Sequence, residues 1–135
     1  MERTELHKDI FEKHDWEVSL EDFKEIIEAN LIPIIDVREP HEVASVRVNA
    51  KTYANIPLKE IETALQMDEV EFLNKYSINK PNKDDPIVLV CRSGRRSNLG
   101  LKAFRDCNYL NTRHYNGGTN VWVENYPDEV IRSAT

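Results

Sequence analysis

Three features of the chain predict an α/β fold. The run Ile87-Val88-Leu89-Val90 is short, apolar and rich in β-branched residues. It follows the turn-forming Asn82-Lys83-Asp84-Asp85-Pro86 and reads as a buried central strand. Residues 31–37 form a second apolar strand, with Pro33 suited to its beginning. Around these runs lie segments of helical spacing, among them Leu99, Ala103 and Cys107 at i, i+4 and i+8.

Composition bounds the function. The chain has 135 residues, 40% of them apolar, which suits one globular domain with a sizeable core. Its net charge of −6 comes from 18 basic and 24 acidic side chains. An acidic total argues against nucleic-acid or anionic-membrane partners, because both need a basic face. No apolar run approaches the ~18–20 residues that span a bilayer. Residues 1–15 lack a signal-peptide core and a transit-peptide pattern.

In chain order, residues 1–15 are read as an extension, either a flexible tail or a short helix, ahead of a domain over 16–130. Residues 16–18 read as a short strand. Ser19 is the expected N-cap of a helix to Ala29, with Glu21 and Asp22 favouring its dipole and Asn30 ending it. Its buried side chains are expected to be Leu20, Phe23, Ile26 and Ile27. After the 31–37 strand, a short helix is expected over 41–45. Apolar residues at helical spacing then recur over 59–67 (Ile61, Leu65) and 68–76 (Val70, Phe72, Leu73, Tyr76), as two covering helices or one broken helix. Residues 77–85 are a solvated loop.

Gly100 inside the next helix costs about 1 kcal/mol relative to alanine, which a close helix–sheet contact would explain. Asn108 suits a left-handed helix end. Residues 113–115 form a last strand, and Asn116-Gly117-Gly118 a turn needing positive φ. A helix over 119–124 carries Trp122, expected in the core, as is Cys107.

The chemistry concentrates between the central strand and the helix after it, in Cys91-Arg92-Ser93-Gly94-Arg95-Arg96-Ser97. In open α/β sheets, ligands bind at the carboxyl ends of strands. The following helix offers unpaired N–H groups and the positive end of its dipole. Gly94 lets the backbone curl into an anion-binding nest, and Arg92, Arg95 and Arg96 add positive charge. A thiol placed there is expected to ionise below the free value of about 8.5 and to act as a nucleophile. Cys91 and Cys107 are not expected to pair. A helix over 95–107 is about 18 Å long, against the ~4–7 Å a disulfide allows. A free reactive thiol suggests a reducing compartment, the cytoplasm.

The ring Cys-x4-Arg is shorter than the Cys-x5-Arg of cysteine phosphatases and suits a smaller cargo, a single sulfur atom. Cys-Arg-Ser-Gly-Arg-Arg-Ser resembles the active-site loop of single-domain rhodaneses, the thiosulfate sulfurtransferases. The resemblance extends to Asp36-Val37-Arg38-Glu39-Pro40, to Asn55-Ile56-Pro57-Leu58 and to Gly117-Gly118 before Trp122. Residues 46–53 depart from the family pattern, which has a glycine-histidine-isoleucine turn followed by proline-glycine-alanine.

The resemblance implies a mainly parallel central sheet with helices on both faces. It implies a persulfide on Cys91, with residues 92–97 as the anion-binding loop and Asp36 and Arg38 as its supports. For Arg38 an ordinary ion pair is an equal alternative. The implied partners are a small anionic sulfur donor and a cyanide or thiol acceptor, with a sulfur-accepting protein as an alternative. No cofactor and no metal are called for: His7, His14, His41 and His114 lack ligand spacing. Three other readings stay open: a cysteine phosphatase or arsenate reductase, a persulfide carrier, and a non-catalytic regulatory module. A Cys-His hydrolase would need a distant histidine, His41 or His114.

Overall fold

The computed structural model describes residues 3–133, with side chains from residue 8 onward; the His7 side chain thus lies outside the described residues. The chain runs α1 (Arg3–Lys13), β1 (Glu17–Val18), α2 (Leu20–Ala29), β2 (Ile34–Asp36), α3 (Pro40–Ser45), β3 (Val46–Val48) and β4 (Tyr53–Asn55). A 3-10 turn (Leu58–Glu60) leads to α4 (Ile61–Gln66), α5 (Glu69–Tyr76), β5 (Ile87–Val90), α6 (Arg95–Asp106), β6 (Thr112–Tyr115), α7 (Gly118–Asn125) and β7 (Val130–Arg132). The central sheet has five strands in the order β1-β6-β5-β2-β4, every neighbouring pair parallel. β5 is its middle strand, as its apolar run requires.

Strand alternation divides the core between two faces. Ile35, Ile87 and Leu89 pack toward α4, α5 and α6 with Ile61, Phe72 and Phe104. Ile34, Val88 and Val90 pack toward α1, α2 and α7 with Phe11, Phe23, Ile26 and Trp122. Helices therefore cover both faces. Phe23 stacks on Tyr115 at 4.3 Å and meets Trp122 edge-on at 5.3 Å. Complete burial of each such aromatic contributes on the order of 2–3 kcal/mol.

Local signals set the element ends. The Ser19 hydroxyl accepts the Asp22 amide at 3.2 Å, an N-cap worth about 1 kcal/mol. Asn30 and Asn108 end their helices in the left-handed region, at φ 55° and 69°. Gly100 lies against the sheet: a Cβ there would sit 3.3 Å from Ile61 Cδ1 and 3.4 Å from Leu89 Cδ1.

Several expectations are corrected. Leu99 is 45% exposed, so α6 buries Gly100, Leu101 and Phe104 rather than a stripe begun by Leu99. Val70 and Leu73 are exposed, and α5 buries only Phe72 and Tyr76. Gly118 alone in the Gly-Gly turn has positive φ, 73°. Gly117 is needed for space, because a Cβ there would lie 2.5 Å from the Tyr115 hydroxyl. Of the two alternatives for the N-terminal segment, it is a helix, and its Ile10 and Phe11 are buried. Arg113 holds it by donating to the carbonyls of Phe11 and His14, at 3.2 and 2.8 Å.

The atypical stretch 46–53 finds its explanation at the other end of the chain. Its first part is β3, paired antiparallel with β7, with Val48 opposite Val130. The Ser133 amide continues the ladder to the Ser45 carbonyl at 3.0 Å. Trp122 anchors this ribbon by donating its indole N–H to the Glu129 carbonyl at 2.9 Å.

Candidate active site

β5 delivers Cys91 to the carboxyl edge of the sheet, and Gly94 turns the chain into α6 with φ 94°. Only this left-handed turn brings the Gly94 amide back onto the cysteine. It donates to Cys91 Sγ at 3.1 Å. Ser97, fully buried one turn into α6, lies 3.4 Å from the same sulfur. The sulfur thus sits at the positive end of a 12-residue helix, where negative charge is favoured. Cys91 itself is 1% exposed.

The Gly-Gly turn and α7 clamp the loop from behind. The Thr119 amide and hydroxyl both donate to the Cys91 carbonyl, at 2.8 and 3.1 Å, and the Asn120 amide donates to the Arg92 carbonyl at 3.1 Å. A Cβ on Gly118 would lie 2.2 Å from the Arg92 carbonyl oxygen, and one on Gly94 2.4 Å from that of Asn116. Neither approach tolerates a side chain. With the Cys91 and Arg92 carbonyls bound on one side, the loop presents its Gly94 amide to the sulfur.

The three arginines have different placements. Arg96 is tied to Glu42 of α3 through two hydrogen bonds of 2.6 and 2.8 Å. The Arg96 guanidinium holds the Glu42 carboxyl far below the usual carboxylate range, at about 2. Arg92 is exposed and lines a cleft of about 610 Å³ with Arg38, His41, Glu42, Thr119 and Asn120. Arg95 is exposed in the first turn of α6, with no ion pair among the described residues. Ser93 is exposed and, with Gly94, lines a second cleft of about 400 Å³ on the other side of the loop.

Asp36 and Arg38 form a buried pair. Arg38 Nε and Nη2 donate to the Asp36 carboxylate at 2.8–3.2 Å, and Nη2 also reaches the Val46 carbonyl at 2.8 Å. Tyr53 donates to the same carboxylate at 2.6 Å, and burial pushes its hydroxyl far above the ordinary tyrosine value. Asn55 fastens the Asp36 and Arg38 carbonyls at 3.0 and 2.8 Å. Among the described residues, no hydrogen bond runs from either side chain to the 91–97 loop. The pair joins β2 to β3 and β4, and so builds the wall of the larger cleft that Arg38 lines.

Cys107 lies half-buried at the far end of α6, and both cysteines are free. Thr119, Asn120, Glu42 and His114 also touch the site or its partners. Of these, the sequence reading named only His114 as a candidate, and only for a hydrolase. The Gly-Gly turn pointed to the neighbourhood of Thr119, but nothing local marks Glu42, which lies 54 positions from its partner. His41 is exposed on the rim of the larger cleft.

A sulfur at a helix N-terminus that receives a loop amide, with exposed arginines in the same loop, lies where negative charge is favoured. The chain belongs to the rhodanese-like domain family, whose model matches residues 19–125. It is 32% identical over 108 residues to the human thiosulfate:glutathione sulfurtransferase, covering 79% of this chain and 92% of that protein. Its identity to the Saccharomyces cerevisiae thiosulfate:glutathione sulfurtransferase is also 32%, over 115 residues, covering 83% and 81%. Among solved structures, the human single-domain sulfurtransferase TSTD1 superimposes with a TM-score of 0.74 at 30% identity, over 82% of this chain and 96% of that one.

Proposed function

We propose that this protein moves a sulfane sulfur from thiosulfate, or a similar small anionic donor, to a thiol or cyanide through a persulfide on Cys91. The observation that carries this reading is the buried Cys91 sulfur receiving the Gly94 amide at 3.1 Å. Arg92, at the mouth of the larger cleft, attracts the anionic donor. The Cys91 thiolate attacks the outer sulfur, the new S–S bond forms, and the old S–S bond breaks with its electron pair leaving on sulfite. The persulfide anion lies against the loop amides and the α6 dipole, which favour charge there without reorganising. An acceptor thiolate or cyanide then takes the outer sulfur and frees the Cys91 thiolate.

The cleft of about 610 Å³ is roomy enough for a peptide-sized thiol, and two relatives bear names that specify glutathione. A thiol acceptor is therefore the preferred one, in a reducing compartment. Among the described residues no helix is long and apolar enough to cross a membrane. Phosphatase chemistry fits less well. It needs an arginine closing the ring over the phosphoryl oxygens, and Arg96 is occupied by Glu42.

Intact-mass measurement after incubation with thiosulfate tests the reading. The reduced protein should gain one sulfur atom, lost again on adding cyanide or a thiol. Failure to load from thiosulfate or other sulfane donors would overturn it.

A further inference from the structure

Ser97 has a second polar neighbour besides the cysteine. Its hydroxyl lies 2.9 Å from Nδ1 of His114, while remaining 3.4 Å from Cys91 Sγ and 3.3 Å from the Gly94 carbonyl. Sulfur, hydroxyl and imidazole thus form a continuous chain through the interior, with Ser97 0% and His114 5% exposed. His114 sits on β6 opposite Glu17 of β1, and its ring lines the second cleft with Ser93, Gly94 and Asn98. That cleft shares no lining residue with the larger one on the Arg92 side. The cysteine loop stands between the two.

We infer that Ser97 and His114 form a proton path. It carries the Cys91 thiol proton away from the donor cleft and returns it after sulfur transfer, with His114 acting as a positioning residue through Ser97. This inference rests on the reading of Cys91 as the sulfur-accepting nucleophile. In the resting chain the Cys91 S–H donates to Ser97 Oγ, and the Ser97 O–H donates to unprotonated Nδ1. On ionisation the sulfur proton moves to Ser97 Oγ as the serine's own proton moves to Nδ1. Serine stays neutral, the S–H electron pair stays on sulfur as the attacking pair, and His114 becomes imidazolium. The reversed chain then runs from Nδ1–H to Oγ and from Oγ–H to the thiolate, so the same three atoms hold both states. When the acceptor removes the outer sulfur, the proton returns by the same route.

The surroundings fit a base at neutral pH. Burial pushes the His114 imidazolium below the ordinary histidine value, with Glu17 opposing. From α6 it faces the neutral Ser97 and Asn98, and across Ser97 the titratable Cys91. Arg96, which feels the charge on Cys91, is held by Glu42. Arg113, the preceding residue of β6, turns to the opposite face and α1.

The test uses the C107S background so that only Cys91 reacts. Cys91 alkylation by iodoacetamide and single-turnover sulfite release from thiosulfate are followed from pH 5.5 to 9.5. H114N should slow both roughly tenfold below pH 7, and the loss should vanish above about pH 9, where a thiol ionises unaided. S97A should give the same profile, and the double variant should be no slower than either single one. A profile in H114N identical to its parent, or a loss equal at every pH, overturns the path. For the case in which the variants do not fold, the His114 ¹⁵N titration is compared between the unsubstituted chain and C91S. A shifted midpoint supports the coupling, and an unmoved one overturns it. Alkylation needs no sulfur donor. A parent that alkylates with His114-dependent pH behaviour but never loads sulfur therefore defeats the sulfurtransferase reading alone.

Discussion

α6 carries a cysteine near each end, and the two ends differ. At the N-terminal end, Cys91 is buried, receives an amide hydrogen bond and lies within 3.4 Å of a serine hydroxyl. At the C-terminal end, Cys107 is half-buried, and its neighbourhood presents carbonyls rather than amides. One helix thus offers a thiolate stabilising donors at one end and acceptors at the other. Exposure alone would select Cys107, against the role proposed for Cys91. On the proposed reading, the backbone groups that face the sulfur set its reactivity.

The sharpest way to break this comparison is to remove each sulfur in turn. C91S should abolish sulfur loading in the intact-mass measurement, and C107S should load fully. Loading in C91S would move the chemistry to the other end of the helix.

The next largest effect concerns the clamp behind Cys91. G118A forces a side chain into the left-handed region and against the Arg92 carbonyl, 2.2 Å away. Together these should cost about 3 kcal/mol in denaturant unfolding and slow loading by displacing the loop. An unchanged midpoint would mean that the turn is not needed to hold the loop.

A smaller effect is expected from Glu42, which holds Arg96 beside the reactive end. Its folded value, near 2, lies below the ordinary carboxylate value of about 4.5. The pair therefore stabilises fully above the ordinary range and loses its contribution as pH falls from about 4.5 toward 2. E42Q should lower stability at neutral pH by about 0.5–1 kcal/mol, the range of a partly exposed pair, and flatten that acid limb. Equal acid sensitivity in E42Q would assign the limb to other carboxylates.

The smallest effect belongs to the far end. N108G relaxes a left-handed residue at φ 69° and should change stability by no more than about 1 kcal/mol, with loading untouched. A change in loading would show that the two ends are coupled.

What was legible in the sequence was local. The central strand, the Cys91 loop, the Ser19 cap and the Asn108 helix end each depend on residues within a few positions of one another. The departures are tertiary. β7 has one half-buried and two exposed residues and pairs with β3 across more than eighty positions, so neither strand announces the other. The arginines of the loop look alike in sequence; only the docking of α3 singles out Arg96. Helical spacing placed Leu99, Val70 and Leu73 inward because periodicity finds an apolar stripe, not the layer it meets. Gly117 looked like a φ requirement and proved to be a matter of space beside Tyr115.

The β3–β7 ribbon has a consequence for biosynthesis. Ser45 and Val46 line the larger cleft, and the ladder that steadies them is made by residues 130–133. A chain emerging from the ribosome in N-to-C order has every partner of the cysteine loop once Asn120 is clear. The cleft wall still waits for Val130–Arg132. The nascent protein therefore passes through a stage with the Cys91 loop assembled and its cleft wall unsteadied; on the proposed reading, the nucleophile then precedes the selectivity that governs it.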